Sequence, residues 1–163
     1  MMRISLRHLV LILFLVLGPP ALAQNAKIDI FSESTRAANL CFDLIVRGKD
    51  RLDSLIEDGY AVKHKKRSTQ YSLGTKVIAF GAKGVSVAKW GQDRNCSFSV
   101  RGIGNSNGNK IYASFQDRLR SSGFSQAGYN RGTSIYSKGN IRLGLRGSSE
   151  GSAISIKLFH YER

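Results

Sequence analysis

Four short patterns in this chain hold residue types that catalysis, anion binding or cross-linking can use. Ser86-Val87-Ala88-Lys89 has the S-x-x-K spacing in which a lysine activates a serine nucleophile. That chemistry needs the serine at a helix start and two partner motifs, Ser-Asp-Asn and Lys-Thr-Gly. Neither partner is in the chain, and Val85 and Val87 alternating with Ser86 spell a strand. Gly84-Val85-Ser86-Val87-Ala88 approaches the G-x-S-x-G nucleophile elbow, but Ala88 stands where the second glycine is required. Gly102-Ile103-Gly104-Asn105-Ser106-Asn107-Gly108 follows a strand and precedes a helix, the setting in which backbone N–H groups cradle phosphate. Its G-x-G-x-x-x-G spacing departs from the dinucleotide pattern and no acidic residue ends a following parallel strand, so it reads as a joint and no cofactor is expected. The fourth pattern is the cysteine pair, Cys41 and Cys96. Two cysteines and the distant His64 and His160 lack paired ligand spacing, so a metal centre is not expected.

The redox reading of that pair depends on the compartment, and the first residues speak to it. Arg3 and Arg7 precede a wholly apolar run over residues 9–17; Gly18-Pro19-Pro20 breaks it, and Ala21-Leu22-Ala23 has the small-x-small form of a cleavage site. This is the three-part pattern of a signal peptide over residues 1–23. The run is far shorter than the ~20 residues of a membrane span. No other stretch is apolar enough to cross, so the mature chain is expected to have no transmembrane segment and to be periplasmic or secreted. In an oxidising compartment a Cys41–Cys96 disulfide is the expectation, with two separate buried thiols as the alternative.

Charge is the one global functional signal. The sequence has 25 Lys and Arg against 11 Asp and Glu, a net +14. Residues 1–23 take two Arg and no acid with them, leaving +12 on residues 24–163. Lys63, Lys65, Lys66 and Arg67 form the densest cluster, and Arg142, Arg146 and Lys157 alternate along the last strands. Sharing one sheet face beside Trp90 and Tyr136, they would make a positive surface that attracts anionic partners. The acids fall mostly on helix faces, as Asp43, Asp50, Asp53 and Asp117 do, which suits solvation and not a carboxylate pair for hydrolysis.

The elements that position these residues follow from periodicity. Over residues 35–58, Cys41, Leu44, Ile45, Leu52, Leu55 and Ile56 recur at three- and four-residue steps, predicting a helix that Gly48 bends or breaks and Gly59 ends. Ser32, Ser34 and Thr35 offer capping oxygens. Strands are predicted over 60–65, 77–80, 85–90 and 96–100, with 68–74 a polar connection. A second helix carries Ile111, Tyr112, Phe115 and Leu119, is capped at Ser106 or Asn107, and ends at Gly123. Strands over 124–129, 133–137, 141–146 and 153–161 follow.

This order, helix, Gly-aromatic, then four strands, occurs twice. Asp53, Leu55, Gly59 and Tyr60 match Asp117, Leu119, Gly123 and Phe124 at one offset. The expected fold is therefore α+β: a single domain over 24–163 built from two repeats, about 34–102 and 107–161, forming one antiparallel sheet of up to eight strands with both helices on one face. Tandem units of this kind resemble, in element order, the secreted β-lactamase-inhibitor proteins, whose concave sheet grips an enzyme. The functional expectation is an exported, non-enzymatic binding module, inhibitor-like in one version, whose basic open sheet face engages an anionic envelope component or an acidic protein. Dedicated nucleic-acid binding is not expected. The alternatives are a small cell-envelope enzyme with a scattered site and a structural envelope protein.

Overall fold

Asp29 starts the first helix in the computed structural model, which describes residues 29–65, 68–73, 77–83, 87–88, 91–92, 95–150 and 153–162. Helix α1 spans Ile30–Arg47, and the Asp29 side chain accepts the Phe31 N–H at 3.0 Å. The helix thus begins one turn before the serines expected to cap it. Ser34 is buried and instead meets Ser114 on the other long helix, Oγ to Oγ 2.9 Å. The helix breaks at Gly48, one of the two outcomes expected there: Gly48 adopts φ 65° and returns its N–H to the Asp43 carbonyl. That left-handed turn suits glycine, and only a four-residue helix α2, Ser54–Glu57, follows.

Strands β1, Ala61–Lys65, and β2, Ser68–Ser72, form an antiparallel hairpin. Then come β3, Val77–Lys83, a ribbon of β4, Val87–Ala88, with β5, Gly91–Gln92, and β6, Asn95–Arg101. Helix α3, Asn105–Ser121, is capped by Gly104 without a side-chain bond; Asn107 donates to the Ile103 carbonyl instead. Strands β7 to β10 span Ser125–Asn130, Thr133–Lys138, Ile141–Glu150 and Ala153–His160.

The protein is a mixed α+β fold. Strands β6, β10, β9, β8 and β7 pair in that order as an antiparallel sheet, and β3, β2 and β1 continue the pairing outward from β6. One expectation for the first half is corrected: the polar connection over 68–74 holds strand β2. Of the strand predicted over 85–90, the described residues Val87 and Ala88 are strand and pair with Gln92 and Gly91. STQYS escapes the alternation rule because only Thr69 and Tyr71 face inward, and only Tyr71 is a large side chain.

One sheet face packs on the helices. Cys96, Phe98 and Val100 of β6, Ile154, Ile156 and Leu158 of β10, and Leu143 and Leu145 of β9 are buried against Ala37, Cys41, Phe42 and Ile45 of α1 and Ile111, Phe115 and Leu119 of α3. Cys41 and Cys96 are disulfide-bonded, Cα to Cα 5.3 Å, which ties α1 to β6. At the other end of α1, His160 Nε2 lies 2.9 Å from the Ile45 carbonyl and joins β10 to the helix. No described helix is long and apolar enough to cross a membrane.

Polar joints complete the helix side. Asp43 lies at the α1–α3 interface, where Arg47 donates to its carboxylate at 3.1 Å and Arg51 and Arg118 stand 3.8 and 4.0 Å away. Arg118 stacks over Phe42 at 4.4 Å, and its Nε is buried without a hydrogen-bond partner among the described residues. Removing the carboxylate leaves that guanidinium less compensated, and an uncompensated buried donor costs about 1–3 kcal/mol. Asp43→Ala should therefore lower the urea midpoint by that equivalent, and Asp43→Asn by less. An unchanged midpoint for Asp43→Ala would show the cluster to be structurally idle.

Tyr60 and Tyr71 are buried phenols that donate to Glu33 and Asp53. Burial, and then the carboxylate partner, hold both hydroxyls well above the ordinary value of 10.0. Because the folded state keeps protons the unfolded chain releases, their contribution is complete below pH 10 and is lost as pH rises beyond it. Unfolding free energy should fall above pH 10 by up to about 1.4 kcal/mol per pH unit for each group. A Tyr60→Phe/Tyr71→Phe protein should start lower at pH 8 and fall less steeply; equal alkaline slopes would contradict the assignment.

Candidate binding face

The face opposite the helices is built by register. Directly paired residues in an antiparallel sheet point to the same side. Starting at Lys63, the pairs run Lys63–Gln70, Gln70–Gly81, Gly81–Ser97, Ser97–Lys157, Lys157–Arg146, Arg146–Thr133 and Thr133–Asn130. This single row crosses all the paired strands from β1 to β7. Neighbouring rows place Ser99, Ser155 and Ser148 on the same side, with Ser99 donating to Ser155 at 2.9 Å. Arg142 and Arg101 also belong to this face by register with Ser137 and Ala153.

The predicted site residues divide accordingly. Lys63, Arg142, Arg146 and Lys157 share the open face. Lys65 occupies the β1 position opposite Ser68. Lys66, Arg67 and Trp90 lie outside the described residues, as do residues 1–23, over which a signal peptide is expected. Tyr136 is corrected: it is fully buried on the helix side, opposite Leu143, and its hydroxyl accepts from Gln116 Nε2 at 2.8 Å. Strand β8 misleads because Thr133, Ser134, Ile135 and Tyr136 are all buried, so no exposure pattern marks which parity faces inward.

Two aromatic residues not among the predicted site residues, Phe159 and Tyr161, accompany the cations of this face. Phe159 lies beside Lys157, whose Nζ stands 5.7 Å from the ring centroid, and Arg142 stacks over Tyr161 at 5.6 Å. The rings themselves are 6.5 Å apart. Phe159 reaches across the sheet over Gly144; a Cβ there would come within 2.5 Å of the ring, so glycine is what seats it flat. Arg146 is held in place, with Nε donating to Thr133 at 2.9 Å and a terminal nitrogen to the Arg131 carbonyl at 3.3 Å. The i, i+2 spacing of Lys157, Phe159 and Tyr161 is the signal that could have found this cluster.

No described acid forms a salt bridge with Arg142, Arg146 or Lys157. The acids that pair do so on the helix side, as Glu33, Asp43, Asp58 and Asp117. Charge is thereby sorted among the described residues: the ion pairs lie along the helices and their connections, one of them (Asp43–Arg118) bridging α1 and α3, and cations without a described acid partner gather on the open sheet. Among the described residues no group of three His, Cys, Asp or Glu could hold a metal ion. Chemically the face can attract anions at a distance, bond them through guanidinium and ammonium groups, and stack planar or ring surfaces on Phe159 and Tyr161.

Comparison with known proteins adds no assignment: no family model, no curated protein and no solved structure matches the chain.

Proposed function

We propose that the protein is an exported, non-enzymatic binding module that holds an extended anionic partner across the open face of its sheet. The carrying observation is the register row that aligns Lys63, Lys157 and Arg146 on the side the helices leave free. Phe159, Tyr161 and Arg142 add an aromatic and cationic cluster beside that row, at β9 and β10. The row supports a partner longer than a single ion, because its cations stand several strands apart at about 4.8 Å per strand. The Cys41–Cys96 disulfide is compatible with export, and the signal-peptide pattern over 1–23 supports it.

In this reading the chain is a duplicated unit. Each half is a long helix followed by four sheet strands, the first outermost and the last at the centre, where β6 meets β10. Such an arrangement gives one broad, continuous face, and a polymer or a protein edge can lie along it.

The test uses the processed, oxidised protein and two polyanions, alginate as a carboxylated glycan and poly-glutamate as an acidic polypeptide. Both should be retained at low salt and released as ionic strength rises and the screening length falls below about 8 Å. Stronger retention by one names the partner class. Equal indifference to both at low salt would overturn the proposal.

A further inference from the structure

A second site lies on the helix side of the sheet, away from the basic face. A cavity of about 580 Å³ opens between the first turns of α3 and the ends of β7, β8 and β9. This size falls within the roughly 300–1,000 Å³ typical of small-ligand sites. Its walls are Tyr112 and Tyr129, its floor includes Ser134 and Ile156, and Asn109 and Ser149 supply hydrogen-bonding groups. Among the described residues no charged side chain lines it, in a chain of net charge +14.

Two features of the backbone aim Tyr129 at this cavity. The β7–β8 register shifts between Gln126 and Gly128, so Tyr129 pairs with Ser134. Ser134 faces the helices, because the Tyr112 hydroxyl donates to it at 2.9 Å. Without the extra residue of that bulge, Tyr129 would point to the opposite, basic face; re-aiming a side chain is a known use of bulges. The hairpin then closes through Arg131 and Gly132 at φ 46° and 78°, a tight two-residue turn that holds the strand end. The outcome is a tyrosine 70% exposed, the most exposed large apolar side chain described, set at the mouth of an uncharged cleft. Tyr112 is the fixed wall: its hydroxyl also lies 3.2 Å from the Leu145 carbonyl, and Gly147 lets its ring rest against β9.

We infer that this cleft binds an uncharged sugar ring of a glycan, stacked against Tyr129 and Tyr112 and hydrogen-bonded through Asn109 and Ser149. A pyranose presents C–H faces to aromatic rings and hydroxyls around its rim. That is the chemistry of two tyrosines with amide and hydroxyl groups between them and no charge nearby. An acidic or basic ligand would find no counter-charge there, and a purely apolar one would strand the polar groups.

The inference is independent of the basic face, and one experiment separates them. The probes are neutral tetrasaccharides of glucose and of N-acetylglucosamine, β-1,4-linked, titrated into the oxidised protein and followed by backbone amide shifts. At least one should produce saturable shifts at Asn109, Ser148 and Ser149, unchanged by added salt and by neutralising Arg142, Arg146 and Lys157. Tyr129→Ala should weaken that binding about tenfold, the worth of one lost aromatic stack. Tyr129→Trp should retain it, and because Tyr129 is exposed both variants should melt with the parent. No saturable shift with either sugar, or Tyr129→Ala binding as the parent does, would overturn the inference.

Discussion

Replacing Cys41 and Cys96 together with alanine should lower the unfolding free energy by about 4 kcal/mol and the melting temperature by roughly 10–15 °C. The bond closes a sequence separation of 55 residues, and the loop-closure entropy it removes from the unfolded chain grows with the logarithm of that length. Both sulfurs are fully buried where α1 meets β6, so the substitution also thins the core at that contact. Against a total stability of about 5–15 kcal/mol for an ordinary domain, this is a large share. The first half should feel it most, because the link from α1 to β6 is lost while α3 with β7 to β10 keeps its packing. Urea unfolding with and without reductant measures it, and thiol labelling of the oxidised protein should find no free cysteine. A loss under 1 kcal/mol would mean that the crosslink does not constrain the unfolded chain.

Neutralising the open face has the second large expected effect. Arg142→Gln, Arg146→Gln and Lys157→Gln combined should weaken binding to the retained polyanion about 30-fold, and reduce its dependence on salt in step. The estimate takes each exposed charge at about 0.7 kcal/mol, within the range for solvent-exposed pairs. Arg146 should contribute most, because hydrogen bonds to Thr133 and the Arg131 carbonyl already position it, whereas Arg142 and Lys157 rest against the rings of Tyr161 and Phe159. Thermal stability should fall modestly, through the hydrogen bonds that Arg146 makes to Thr133 and to the Arg131 carbonyl, since none of the three forms a salt bridge among the described residues. Unchanged affinity would detach the charge of this face from binding.

Much of this was legible in the residues, and the failures have physical causes. The stripes of Cys41 and Ile45 and of Ile111, Phe115 and Leu119 face the core as three- and four-residue spacing requires. The disulfide was readable from two cysteines and an export pattern. Arg142, Arg146 and Lys157 were readable as one face because strand side chains alternate with a fixed period of two. Strand β2 was not readable, because its single inward aromatic, Tyr71, leaves the rest polar. Tyr136 was misplaced because β8 is covered on both sides: Ile135 is buried on the open face and Tyr136 on the other. Parity cannot be read where both faces are apolar. The cleft around Tyr129 was hidden for a third reason. A bulge changes parity by one residue, and its only trace in SQAGYN is Ala127-Gly128, which resembles any weak strand.

The same distinction explains why the ion-pair clusters were invisible while the basic surplus was plain. Composition counts charges, but only the packing of α1 on α3 brings Arg118 to the carboxylate of Asp43, which Arg47 already meets one turn along the same helix. What remains for the sheet is a surplus of cations, and the account rests on that sorting.

The most direct test is amide-hydrogen exchange of the oxidised protein, alone and saturated with the polyanion that binds it best. The expected footprint is slowed exchange along β9 and β10 around Arg142, Arg146 and Lys157, extending toward Lys63 on β1, with α1 and α3 unchanged. Protection confined to α1 and α3, with the sheet strands indifferent to the ligand, would contradict the basic sheet face as the binding surface.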